Sequence, residues 1–144
     1  MKIGIVSGYF NPLHQGHIEY INEAKKHCDI LIVIVNNDKQ VIIKGSTPFM
    51  SEDHRCVIVS NLKSVDVVII SQDEDSTVCK TIEIIKSVNE YDEFIFFNSG
   101  DRVSENADKA EIVLCKKLGI KYVDLILPKL YSSSKLIETA ALEY

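Results

Sequence analysis

The sequence predicts an α/β fold, a Rossmann-like, doubly wound domain with a five-stranded parallel sheet and helices on both faces. Short apolar runs alternate with longer stretches of helical period, which is the pattern of a parallel sheet covered on both sides. The order of these segments fits right-handed crossover connections. The 144 residues, 46% hydrophobic and 26% charged, are typical of one domain, here predicted over residues 1–144.

Five apolar runs are the predicted strands. They begin with IGIVS near the amino terminus and end with KYVDLI. Their ranges are 3–7, 30–35, 66–70, 93–97 and 121–126. The short length and apolar character of each run are typical of strands that are buried on both faces.

Helices are predicted between the strands. Ile18, Ile21 and Ala24 have the spacing of one buried helical stripe. Ser51 is the predicted N-cap of the second helix, and Gly119 the predicted C′ residue of the fourth. The predicted helices span residues 15–27, 52–63, 76–89 and 106–118, and a fifth begins near Ser134.

The charge balance argues against polymeric anions as partners. Sixteen Lys and Arg face 21 Asp and Glu, so the net charge of −5 leaves no diffuse basic surface for nucleic acid or an anionic membrane. Only Arg55 and Arg102 are arginines, and arginine carries the rigid fork that grips phosphate or carboxylate. Both follow predicted strand ends, where ligands of such sheets bind.

Cysteine usage and hydropathy indicate a soluble, cytoplasmic protein. Cys28, Cys56, Cys79 and Cys115 are widely spaced without a C-x-x-C pair, which is typical of reduced thiols rather than a zinc knuckle or a disulfide framework. We find no signal-peptide core and no apolar run long enough to span a bilayer.

Ligands of doubly wound sheets bind beyond the carboxyl ends of the strands, where the strand order reverses. This rule selects four loops as candidate binding segments. They are residues 8–17, 36–50, 98–104 and 127–134.

The first of these loops, GYFNPLHQGH, has the strongest motif. His14 and His17 stand three residues apart at the entry to the first helix, so their imidazoles share a face with its free N–H groups. This arrangement predicts an anion site with two titratable donors. Two alternatives stay open. A structural zinc site would need two further ligands, which no nearby Cys or His pair supplies, and ordinary capping or core histidines would leave the glycines and Pro12 unexplained.

The loop resembles the HxGH signature, G-x-F-D/N-x-x-H-x-G-H, of the cytidylyltransferase-like nucleotidyltransferases. Members of that superfamily join a nucleoside triphosphate to a phosphorylated substrate and release pyrophosphate. The resemblance implies that His14 and His17 contact the triphosphate and stabilise charge on its α-phosphoryl group. It implies that Gly16 lets the phosphates approach the backbone. Further implied nucleotide contacts come from Gly8, Tyr9, Phe10 and Asn11. The family usually has Asp at this last position.

A second element combines Lys44 and Gly45 with a following helix that contains Glu52 and Arg55. It resembles a segment of glycerol-3-phosphate cytidylyltransferases and heptose 1-phosphate adenylyltransferases. The resemblance implies that Lys44 reaches the phosphates or the acceptor, and that Arg55 holds substrate phosphate or orients the loop. The alternatives are a solvated lysine and an arginine that pairs with a neighbouring acid such as Glu52.

Two later elements complete the resemblance, which runs from about residue 3 to residue 138. The turn NSGDR resembles the family's G-G-D or G-D-D segment, although a plain turn would also explain it. The resemblance implies nucleotide contacts from Gly100, Asp101 and Arg102. The serines at the start of the fifth helix resemble an S/T-S/T-x-I/L element that holds the β- and γ-phosphates, although one serine could be a plain N-cap. They are Ser132, Ser133 and Ser134.

The expected function is nucleotidyl transfer, with His14, His17, Lys44 and Arg55 as catalytic residues that position phosphates and stabilise charge. CTP is favoured over ATP as the donor, and the acceptor is a polyol, sugar or amino-alcohol phosphate. Mg²⁺ is expected to be held mainly through the substrate phosphates, and the family resemblance implies a homodimer.

Two alternatives remain. The first is ATP-dependent adenylyl transfer to a heptose 1-phosphate type of acceptor. The second is a non-catalytic nucleotide-binding α/β module, although a receiver-type module should carry an acidic cluster after its first strand, and residues 8–11 have none.

Overall fold

The computed structural model describes residues 1–88, 92–99 and 107–125. Its strands are β1 (Lys2–Gly8), β2 (Ile30–Val35), β3 (Val67–Ile70), β4 (Glu93–Ser99) and β5 (Lys121–Leu125). Its helices are α1 (Gln15–Lys25), α2 (Asp38–Ile43), α3 (Glu52–Ser60), α4 (Cys79–Val88) and α5 (Ala107–Leu118).

The strands form one parallel sheet in the order β3-β2-β1-β4-β5. The order therefore reverses between β1 and β4, the two central neighbours. Ile5 is in register with Ile32 on one side and with Phe96 on the other. This arrangement confirms the predicted α/β fold and places the carboxyl end of β1 at the point where ligands of such sheets bind.

Helices cover both faces of the sheet because consecutive strand residues point to opposite sides. In β2, Leu31 and Val33 pack in one cluster with Ile21 of α1 and Val59 of α3. The intervening Ile32 and Ile34 pack in a second cluster that contains residues of α4 and α5. Both clusters are apolar, which explains why the strands are apolar runs instead of alternating patterns.

The structure differs from the sequence prediction in the segment after β2, which was expected to be a loop throughout. Residues 38–43 form the short helix α2, and its first turn is closed by reciprocal hydrogen bonds between Asn37 and Gln40. Such a capping box satisfies donors that a helix otherwise leaves open. The predicted fifth helix near Ser134 lies outside the described residues. In the part of the chain that is described, no helix is long and apolar enough to cross a membrane.

Candidate functional site

The two motif histidines begin α1 and cap it reciprocally. Nδ1 of His14 accepts from the Gly16 N–H at 3.1 Å, and the His14 N–H donates to Nδ1 of His17 at 3.2 Å. The rings are stacked, with centroids 3.7 Å apart. Because each Nδ1 accepts a backbone N–H, the proton of each neutral ring lies on Nε2. The helix cap thus fixes two imidazole N–H donors in one orientation.

The surroundings keep both rings uncharged at neutral pH. Burial lowers the pKa of His14. The pKa of His17 falls to about 3, first through burial and then because protonated His14 and the Lys44 ammonium group would each repel a charge on His17. Since desolvation penalises the charged imidazolium, His14 and His17 act here as neutral hydrogen-bond donors.

Phe10 supports His17 from the core side. Its backbone has a φ of 49°, in the left-handed region that side chains rarely adopt, and its buried ring meets the His17 ring edge to face at 4.9 Å. A Cβ added to Gly8 would lie 2.7 Å from the Phe10 ring. Gly8 therefore makes room for Phe10, and the Phe10 side chain contacts His17.

Lys44 ends α2 close enough to His17 for its positive charge to lower the pKa of that histidine. Gly45 has a φ of 89°, and the N–H groups of Gly45 and Ser46 donate back to Ile42 and Val41. This is a Schellman ending, which favours glycine. It makes Lys44 the C-cap residue. The Lys44 ammonium nitrogen lies 4.3 Å from the centroid of the half-buried Tyr9 ring.

Asn11 ties residues 8–17, which we call the histidine loop, to the segment after α2. Its side chain is 5% exposed. Nδ2 donates to the Thr47 carbonyl at 2.9 Å, and Oδ1 accepts from the N–H groups of Phe49 (2.6 Å) and Met50 (3.3 Å). The structure therefore directs the Asn11 carboxamide at the protein backbone.

Arg55 is completely buried, and its guanidinium joins three segments. Nε donates to the Met50 carbonyl, Nη1 to the carbonyls of Tyr9 and Asn36, and Nη2 to the Asp38 carboxylate at 2.7 Å. Of the two roles that the resemblance implied for Arg55, this geometry supports the orientation of the loop.

The acid that pairs with Arg55 is not the one suggested by sequence proximity. Glu52, three residues earlier, accepts from the Asp38 N–H at 2.9 Å instead of binding the guanidinium. Asp38 begins α2 and reaches Arg55 across the carboxyl end of β2. Asp38 is not a candidate from the sequence, because it stands 17 residues from Arg55 and meets the guanidinium only in the folded chain.

The remaining candidates divide into two groups. Gly16 lies in the first turn of α1 and uses its N–H to orient His14. The others lie outside the described residues. They are Gly100, Asp101, Arg102, Ser132, Ser133 and Ser134.

The donor set at the carboxyl end of β1 fits an anion. Two imidazole N–H groups and one ammonium group lie together there, and over residues 1–88, 92–99 and 107–125 no group of three or more His, Cys, Asp or Glu could hold a metal ion. The Nδ1 atoms of His14 and His17 already accept backbone N–H groups, so the pair is not arranged as the core of a zinc site.

Comparisons with known proteins identify the family of this chain. The family model described as cytidylyltransferase-like matches residues 5–139. The FAD synthase of Aciduliprofundum boonei is 32% identical over 132 residues, which cover 92% of this chain and 81% of that protein. The bifunctional protein HldE of Aliarcobacter butzleri is 34% identical over 125 residues, or 85% of this chain. The chain spans about a quarter or less of the length of the HldE proteins that it matches.

Solved structures show the same fold. The lipopolysaccharide core biosynthesis protein from Thermoplasma volcanium GSS1 superposes with a TM-score of 0.66 at 30% identity, covering 89% of this chain and 98% of that one. A bifunctional NMN adenylyltransferase/ADP ribose pyrophosphatase from Francisella tularensis superposes with a TM-score of 0.69 over 99% of this chain and 43% of that one, at 13% identity, which supports the fold alone. Together, the matched residues and these relatives show that the chain belongs to the cytidylyltransferase-like family of nucleotidyltransferases.

Proposed function

We propose that the protein transfers a nucleoside monophosphate from a nucleoside triphosphate to a phosphorylated small molecule and releases pyrophosphate. The observation that carries this proposal is the stacked pair His14 and His17, which present two fixed Nε2–H donors beside Lys44. The pair follows β1, where the strand order reverses. An anion bound there would meet three donors without prior rearrangement of the helix cap.

In the proposed reaction, an oxygen of the acceptor phosphate forms a bond to the α-phosphorus. The bond from the α-phosphorus to the bridging oxygen breaks, and its electron pair leaves with pyrophosphate. His14, His17 and Lys44 would donate to phosphate oxygens whose negative charge shifts during transfer. Preorganised donors of this kind are effective because they need not reorient during the reaction. No covalent nucleophile is needed.

We propose ATP as the donor, with CTP as the competing candidate. The sequence favoured CTP, but the relatives do not support that preference. The FAD synthase relative matches most of both chains, and FAD contains an adenosine monophosphate unit. The acceptor is then FMN or another phosphate monoester, such as a polyol, sugar or amino-alcohol phosphate.

Mg²⁺ is proposed to enter with the triphosphate. Phosphate oxygens and water are the ligands that Mg²⁺ prefers, whereas the two titratable side chains that act on His17, those of His14 and Lys44, are a hydrogen-bond donor and a cation. The role of the protein would be to bind the remaining phosphate oxygens. We also predict a homodimer. Light scattering across protein concentrations would measure its molar mass in solution.

A pyrophosphate-release screen tests the proposal. ATP, CTP, UTP and GTP, each with Mg²⁺, are combined with FMN and a panel of sugar, polyol and amino-alcohol phosphates. We expect one donor and acceptor class to release pyrophosphate, and His17→Asn to lower kcat about 10²- to 10³-fold, as is typical for the loss of one preorganised donor. The exposed His27 lies outside the site, so His27→Asn is the matched control and should retain full activity.

The screen also has an outcome that contradicts the proposal. Tight binding of one triphosphate without pyrophosphate release from any pair would instead support a nucleotide-binding module. Unchanged turnover in His17→Asn with the correct pair would show that the histidine pair is not the site of transfer.

A further inference from the structure

One buried amide side chain, that of Asn11, connects two loops at the candidate site. The side chain of Asn11 makes three hydrogen bonds to the backbone of Thr47, Phe49 and Met50. These partners are 36 to 39 residues away along the chain. Asn11 therefore holds two separate loops together.

The hydrogen-bonding pattern requires a carboxamide. The Thr47 carbonyl accepts a hydrogen bond, so the atom that faces it must carry a proton. The N–H groups of Phe49 and Met50 must meet an acceptor. The neutral amide of Asn has both functions, whereas an ionised carboxylate has acceptors alone. An Asp at position 11 would place a charged oxygen against the Thr47 carbonyl.

The loop that Asn11 holds is the one that follows Lys44. Met50 is fixed on both sides, because its N–H donates to Asn11 and its carbonyl accepts from Arg55. At the other end of the loop, the Lys44 ammonium group lies over the ring of Tyr9, two residues before Asn11. Contacts at both ends of the 45–50 segment therefore set its position relative to the histidine loop.

We propose that Asn11 is a positioning residue that, by holding the 45–50 segment, keeps Lys44 close to the loop after β1, and that this role depends on its carboxamide. The inference rests on the proposed nucleotidyl transfer for its kinetic consequence. Its structural part, that Asn11 anchors the 45–50 segment, is independent of any activity.

Hydrogen exchange of the wild type and of one variant tests whether Asn11 anchors the 45–50 segment. The amides of Phe49 and Met50 should exchange slowly in the wild type, and at least tenfold faster in Asn11→Ala, which removes their acceptor. Exchange of both amides at the rate of an unstructured peptide in the wild type would overturn the proposal, whether or not the protein is an enzyme.

A double-mutant cycle tests whether Asn11 acts through Lys44. We expect Asn11→Asp to lower kcat at least tenfold in the wild-type background. In a Lys44→Met background, Asn11→Asp should lower kcat less than twofold, because the ammonium group that Asn11 positions is already absent. An equal loss in both backgrounds, or no loss in the wild type, would overturn the inference. Absence of pyrophosphate release from the wild type would instead refute the proposed function, and the exchange experiment would still decide the role of Asn11.

The matched control is Ser51→Ala. Ser51 follows the same segment and accepts from the His54 N–H as the N-cap of α3, but it takes no part in the Asn11 contacts. This variant should lose thermal stability while it keeps kcat and slow exchange at Phe49 and Met50. If Ser51→Ala and Asn11→Asp lowered Tm equally and also lowered kcat equally, the loss of kcat would be an effect of stability, and the inference would be overturned.

Discussion

The ammonium nitrogen of Lys44 lies 4.3 Å from the centre of the Tyr9 ring, which joins the end of α2 to the loop after β1. A lysine on an exposed helix end otherwise has high conformational freedom, and ordering it costs up to about 2 kcal/mol. An aromatic face offsets part of this cost by about 0.5–1 kcal/mol. The ring therefore pre-orders the flexible cation of the site.

Removal of the Tyr9 ring should weaken triphosphate binding. We expect Tyr9→Leu to raise the Kd of the triphosphate about two- to fivefold, which corresponds to a cation–π contribution of about 0.5–1 kcal/mol. Tyr9→Phe keeps the aromatic face and should stay closer to the wild type. Isothermal titration calorimetry measures both. Equal effects of the two substitutions would show that the tyrosine hydroxyl, and not the ring face, is the important group.

Gly45 and Gly119 allow structural and functional effects to be separated. Both have positive φ values, 89° and 72°, and both follow a helix with the same pair of back-donating N–H groups. Alanine at either position should lower the free energy of unfolding by about 1–2 kcal/mol, the usual cost of the left-handed conformation. Only Gly45→Ala should also lower kcat, because Gly45 follows Lys44. Urea unfolding and pyrophosphate release measure the two effects. Equal kcat losses in both variants would contradict this expectation.

Substitution of Arg55 should mainly reduce stability. Arg55→Lys keeps the charge but cannot supply the forked donors that reach Met50, Tyr9, Asn36 and Asp38. Each buried carbonyl that loses its donor costs about 1–3 kcal/mol, and urea unfolding should show a loss of at least about this size. Asp38→Asn should cost less, because the Asp38 side chain is 35% exposed. A stable Arg55→Lys protein with weakened triphosphate binding would instead identify Arg55 as a phosphate ligand.

Acid should destabilise the protein through His17. The pKa of His17 is about 3 in the folded protein and about 6.5 when unfolded, so below pH 6.5 the unfolded chain binds the additional proton. Stability therefore falls as the pH drops from about 6.5 towards 3, by up to about 1.4 kcal/mol per pH unit. Between pH 7 and pH 5 the wild type should lose about 2 kcal/mol more than His17→Asn. The measurement is urea unfolding of both proteins at the two pH values, and parallel losses would contradict the low pKa.

Much of the architecture follows from local sequence. The apolar runs predict the five strands because a strand buried on both faces has no polar side. Ser51 predicts a helix start because its side chain caps an N–H group in the adjacent turn, and Gly119 predicts a helix end because glycine readily adopts a positive φ. Both predictions are confirmed. The histidine motif was correctly placed at the carboxyl end of β1, since its spacing and the rule for ligand loops depend only on chain order.

The short helix α2 could be predicted only in part from the sequence. Its capping box, Asn37 and Gln40, is visible in the sequence as polar residues three apart, but the helix has only six residues and its apolar residues are consecutive. The periodicity that identifies longer helices has too few turns to be recognised there. Consequently, the position of Lys44 at a helix end could be described only from the structure.

What the sequence determined by itself is the α/β fold and the loop in which the histidines lie, because strand burial and helix capping are set by residues close in the chain. The tertiary structure alone decided which candidate side chains are directed at other parts of the protein. Asn11 and Arg55 were sequence candidates for nucleotide binding and catalysis, yet their polar atoms are directed at backbone groups and, for Arg55, also at the Asp38 carboxylate. Buried polar groups must be satisfied by hydrogen bonds, and their partners exist only once β1, β2 and α3 are packed together.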